Sequence, residues 1–194
     1  MKQLLFNPFI KIAGAKALLL GLVLIIIGSV FASLFNARFD GLIDLHFYKG
    51  VNVFQALFDQ IIGLIVVAFV FFITALILGS KPRLVDLVGT FAYSRLPYVF
   101  APLLNITGVF LTFSNALQSI DPANPVLPLS SSQLVSFVFL TILSIVLVVW
   151  LVTLYFKAWK TCSNLKGNKL VLSFIAGLLI AEILTVYLTR NFTI

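Results

Sequence analysis

Glu182 is an acid inside the last long apolar stretch of the chain, followed by Thr185 and Thr189. On a helix these residues, at i, i+3 and i+7, share one face. They form a short polar stripe in the outer half of the segment. An ionisable group within a span costs roughly 2.5–3.5 kcal/mol on insertion scales, so each one is a functional candidate. Two readings fit Glu182. It is a proton or cation site lining a polar path, or a carboxyl hydrogen-bonded to a neighbouring helix as packing glue. Arg95 is the second candidate, and its role depends on where its helix begins. A helix starting near Leu87 puts Arg95 about 12 Å deep, within reach of Glu182 if their helices touch. A span starting near Leu96 lets Arg95 snorkel to the cytoplasmic interface. Asn105 then falls near mid-membrane as the partner of Glu182. The snorkelling register is the favoured one.

Several chemistries lack their residues. There is no HExxH, no GxSxG and no glycine-rich phosphate loop. The one histidine, His46, cannot make a histidine metal cage. Paired intramembrane aspartates of a protease are not evident. No catalytic, cofactor-binding or metal-binding residue is assigned, and the expectation is a protein that is not an enzyme. Cys162 is the single cysteine, so no intramolecular disulfide can form. It reads as a thiol in a short basic loop, more simply inert than lipidated. Asn105-Ile-Thr107 and Asn191-Phe-Thr193 match the glycosylation pattern, but one lies in the membrane and the other at the extreme terminus.

The elements that position these residues are membrane helices. Hydrophobic residues make up 61% of the chain and charged residues 10%. A hydrocarbon layer of roughly 30 Å demands about 20 apolar residues of a helix. Five segments qualify, at about 17–35, 56–79, 87–113, 134–156 and 170–189. They are continuous and not alternating, which excludes a β-barrel. The fold class is therefore all-α, a single polytopic membrane bundle over 1–194. The first segment follows Lys2, Lys11 and Lys16, and Val30-Phe31-Ala32 loosely fits a signal cleavage site. Its length and the further spans favour an uncleaved first helix. Gly14, Gly21 and Gly28 repeat every seven residues and so share a face, either for close helix packing or simply because glycine is common in membrane helices. The third segment is ambiguous, with Arg95, Pro97, Pro102 and Asn105 inside it. It is one long kinked helix, or an interfacial helix over 84–94 followed by the span proper. No internal repeat is evident, which weighs against a duplicated transporter architecture.

The net charge of +7 does not indicate nucleic acid, because the basic residues flank the apolar runs. With the N-terminus in the cytoplasm, nine basic residues lie inside, in the tail, link 80–86 and loop 157–169. Arg38, Lys49 and Arg190 lie outside, so the positive-inside rule gives N-in and C-out.

The stretch 86–102, DLVGTFAYSRLPYVFAP, resembles the Yip-type membrane domain (Ypt/Rab-interacting proteins and their prokaryotic relatives). The residues that carry the resemblance are Gly89, Tyr93 and Pro97. The five-span layout and the short connection between spans two and three are also similar to that family. Only about 16 residues precede the first span, and the Asp-Leu-Tyr-Gly-Pro motif of eukaryotic members is missing. The resemblance therefore implies a prokaryotic-type member in the cytoplasmic (inner) membrane, without the Rab-binding role.

The expected function is a non-enzymatic membrane scaffold or adaptor. The alternative is a small oligomeric transporter or channel with Glu182, Thr185, Arg95 and Asn105 in its polar path. Expected partners are the lipid bilayer and a membrane-protein partner or further copies of the chain. No cofactor and no nucleic acid are expected.

Overall fold

The computed structural model describes residues 5–119 and 129–192. They form a helical bundle. Its helices are α1 (Gly14–Leu34), α2 (Val53–Ile77), α3 (Leu84–Tyr93), α4 (Pro97–Phe100), α5 (Val109–Gln118), α6 (Ser131–Ser163) and α7 (Gly167–Asn191). Four of them, α1, α2, α6 and α7, are long and apolar enough to cross a membrane. The broken run Leu84–Asn105, bent by 65° where α5 begins, makes a fifth when the bent pair is counted as one span. This is an integral membrane protein with the layout expected from its apolar runs. The large apolar side chains turned outward, such as Phe69, Phe139 and Ile183, suit a lipid surround.

The third segment breaks close to where the reading of a separate helix over 84–94 put it. The helix starts at Leu84, stops at Tyr93, resumes at Pro97 and tightens into a 3-10 turn over Ala101–Asn105. Pro97 and Pro102 lack the N–H that a continuous helix needs. Gly108, at φ 69°, then turns the chain into α5. Helix α6 also outruns its expected span at both ends. It opens on a capping box between Ser130 and Gln133 and ends at Asn164, whose left-handed φ of 55° stops it. Lys157, Lys160 and Cys162 are therefore helical and not in a loop. Cys162 is buried, with its sulfur 3.3 Å from the Thr90 hydroxyl.

The expected glycine face is real. Helix α1 packs most extensively on α3. A Cβ on Gly21 would sit 2.5 Å from the Ala92 Cβ, one on Gly14 3.2 Å from Asp86, and one on Gly28 3.4 Å from the Tyr98 carbonyl oxygen. All three glycines face the third span. Such close approach makes α1 an integral part of the bundle.

Two ends can be told apart. The Ser80 hydroxyl donates to the Ser163 carbonyl at 2.6 Å, which joins the α2–α3 link to the end of α6. The start of α1 meets Asp86 at the same end. The other end holds the α1–α2 connection, α5, the start of α6 and the end of α7. There a two-residue antiparallel ladder pairs β1 (Ala37–Arg38) with β2 (His46–Phe47).

Candidate functional site

The α1–α2 connection does not lie on the surface. Between β1 and β2 it dips into the bundle, where Phe39, Asp40, Gly41 and Leu42 are buried. Backbone at that depth has no regular ladder, so its polar groups need side-chain partners. The Glu182 carboxylate accepts from the N–H of Leu42 at 2.7 Å and of Ile43 at 2.9 Å. Tyr98 donates its hydroxyl to the Leu42 carbonyl at 2.6 Å. Thr189 donates to the Asp40 carbonyl, also at 2.6 Å. Glu182 lies nine residues before the end of α7, so the loop descends about 13 Å below it at 1.5 Å per residue.

The sequence-predicted stripe is therefore on one face, and the loop occupies it. Thr185, buried completely, turns its hydroxyl back to the Ala181 carbonyl at 2.7 Å. Asn105 is not the partner of Glu182. It donates to the Phe35 carbonyl at 2.8 Å and ties the third span to the end of α1. The helix break places Asn105 at the loop end of the bundle, far from where a span starting at Leu96 would put it.

Arg95 does not snorkel. It is 1% exposed, in the gap between α3 and α4. Its guanidinium packs on Gly63 of α2 and lies beside Thr185 of α7. Its Cζ sits 5.8 Å from the centroid of the Tyr98 ring. None of its three nitrogens has a hydrogen-bond partner among the described residues. One oxygen of Glu182, the Gln60 carbonyl and the Tyr155 hydroxyl share that condition. Tyr98 links Arg95 and Glu182, since its ring lies against Arg95 and its hydroxyl reaches the loop that Glu182 holds. Gly63 makes room there, because a Cβ would fall 2.5 Å from an Arg95 nitrogen.

Sequence reasoning passed over Asp59 and Gln60, an acid and an amide just inside the second span. Both are buried. Asp59 accepts from Arg38 Nε at 2.9 Å, and Arg38 also donates to the Thr189 carbonyl at 3.0 Å. Gln60 donates to the Ile25 carbonyl and the Ser29 hydroxyl of α1. Two adjacent polar residues within an apolar run were the available signal. On the loop itself, Asp40 and His46 pair at 2.7 Å. That hydrogen bond holds the imidazole pKa above its ordinary 6.5, against the partial burial that would lower it.

The family-like residues are packing residues in this fold. A Cβ on Gly89 would meet the Gly14 carbonyl at 2.7 Å. Tyr93 receives the edge of Phe9 at 6.1 Å between centroids. Pro97 is buried and restarts the broken helix. Family models, curated proteins and solved structures were compared with the chain, and none of them matches it.

Proposed function

We propose that the chain is a non-enzymatic scaffold or adaptor of the membrane, with the layout of a prokaryotic Yip-type protein in the cytoplasmic membrane. One observation carries this reading. The polar groups of α7 that could line a path instead hold loop 36–52 in place. Glu182 and Thr189 both bond to its backbone, and a latched loop is a rigid feature, not a conduit. The basic residues at the opposite end, among them Lys81, Arg83 and Lys166, suit a cytoplasmic face against anionic lipid. Reporter fusions at 164–166 read that orientation, and an external reporter there contradicts it.

The test is in-membrane crosslinking followed by purification in mild detergent and mass spectrometry. A stoichiometric foreign membrane protein supports the adaptor. Recovery of the chain alone, as a defined oligomer, contradicts it.

A small oligomeric transporter or channel is the second reading. It is favoured by Arg95, a buried guanidinium without a hydrogen-bonding partner among the described residues, since intramembrane charges commonly mark ion or substrate paths. Proton-coupled flux in proteoliposomes that Glu182→Gln abolishes would establish it. Flux unchanged by that substitution removes Glu182 from any path.

A further inference from the structure

The loop end of the bundle holds a half-open cavity of about 460 Å³. Pockets for small organic ligands run roughly 300–1,000 Å³. Four parts of the chain build the walls: the loop from Ile43 to Tyr48, the broken span from Pro97 to Leu104, helix α5, and the outer half of α6. Aromatic rings join these parts. Phe47 stacks on Phe110 at 4.8 Å and Phe113 on Phe137 at 3.7 Å. Phe110 meets Phe137 edge-on at 5.5 Å and closes the series.

The charge of the cavity is one-sided. Among the described residues no lysine or arginine lines it. The carboxylate in its wall is Asp44, which is exposed and interacts with the carboxyl of Glu182 behind it. His46 also lines the cavity, but Asp40 matches any charge it carries. Arg95 does not line it. Ring faces carry negative charge and attract organic cations by about 0.5–2 kcal/mol each. An anion would meet Asp44 and the ring faces with repulsion. A neutral guest would gain at most a hydrogen bond from the carboxylate.

We propose that this cavity binds a lipophilic organic cation, an ammonium or phosphonium with aryl or alkyl arms. The cationic centre lies against Asp44, and the arms lie among Phe47, Phe110, Phe113 and Phe137. The site is independent of whether the protein is an adaptor, because the groups that bind the cation, Asp44 and the four phenylalanines, are not those that latch the loop.

The probe pair is tetraphenylphosphonium and tetraphenylborate, which share a shape and differ in sign. Binding is measured on the full chain in lipid nanodiscs, with empty nanodiscs subtracted. The expected result is saturable binding of the phosphonium at one per chain, weakened about tenfold or more by Asp44→Asn. Ser144→Phe fills the cavity from α6 without touching Asp44, and it should abolish binding while the melting temperature stays that of the parent. Equal binding of the borate, wild-type affinity in Asp44→Asn, or no saturable phosphonium binding by the folded protein would each overturn the assignment.

Discussion

The carboxylate of Glu182 holds the backbone N–H of Leu42 at 2.7 Å, across 140 residues of chain. The same oxygen also accepts from Ile43. A side chain from the last helix thus completes the backbone hydrogen bonding of a loop between the first two. Water at a surface would do this for free, but within a bundle of apolar helices a side chain must.

Removing that acceptor should be costly. Glu182→Ala leaves two backbone donors without a partner, and each costs about 1–3 kcal/mol when buried. Because Glu182 is only half-buried, a total loss of about 2–3 kcal/mol is expected in reversible unfolding in detergent. Glu182→Gln keeps one carbonyl acceptor and should lose about 1 kcal/mol. Equal stability of the parent and the alanine variant would show that the latch contributes nothing.

His46 should report on the loop by its titration. Its folded pKa is raised above 6.5 by the hydrogen bond to Asp40. The folded state therefore binds the proton more tightly than the unfolded chain does. The resulting stabilisation is fully present below pH 6.5 and fades as pH rises through the raised folded value. The effect on stability is small, since the ring is half exposed. As the chain has one histidine, its ring resonances give the titration directly. A midpoint above 6.5 that falls in Asp40→Asn is expected; a midpoint at or below 6.5 in the parent rejects the pairing.

Much of this fold was legible in the sequence, because length and apolarity alone decide which segments can span. The four long spanning helices lie where the runs of Leu, Ile, Val and Phe put them, and the third run falls on the broken helix. The heptad spacing of Gly14, Gly21 and Gly28 likewise identified a real packing face, since a missing Cβ is a local property. The misplaced features depend on tertiary context. The break after Tyr93 buries Arg95, and nothing in its neighbours distinguishes a buried arginine from a snorkelling one. The re-entry of residues 39–44 is invisible because Asp40, Gly41 and Asp44 also compose ordinary exposed loops. Glu182 was found as a candidate, but the backbone amides it serves have no sequence signature.

The glycine face makes a graded prediction. A methyl at Gly21 would lie 2.5 Å from the Ala92 Cβ and 2.6 Å from its carbonyl carbon, both fixed by helix backbone. At Gly28 the nearest atom is 3.2 Å away, on the Gln60 side chain. Gly21→Ala should cost about 1–3 kcal/mol through forced separation of the helices, and Gly28→Ala less. Thermal unfolding of the two variants settles the order, and equal stabilities would contradict the packing.

Gly63 and Arg95 should be energetically coupled. The Arg95 guanidinium is buried and has little space to retreat, so Gly63→Ala should destabilise by about 1–3 kcal/mol. In an Arg95→Met background the added methyl meets an uncharged, more adaptable chain. The cost should fall by about 1 kcal/mol, read as the interaction term of a double-mutant cycle. Strict additivity would place Arg95 elsewhere. Arg95→Met alone should be neutral or stabilising, because a buried charge without a hydrogen-bonding partner is expensive to keep.

Hydrogen exchange at the Leu42 and Ile43 amides tests the latch most directly. In the parent protein both amides should exchange orders of magnitude more slowly than that of the flanking exposed Lys49, and Glu182→Ala should abolish that protection while leaving the interior of α2 protected. Fast exchange of Leu42 and Ile43 in the parent would mean that the loop is not held by Glu182, and the carboxylate would again be free to line a path.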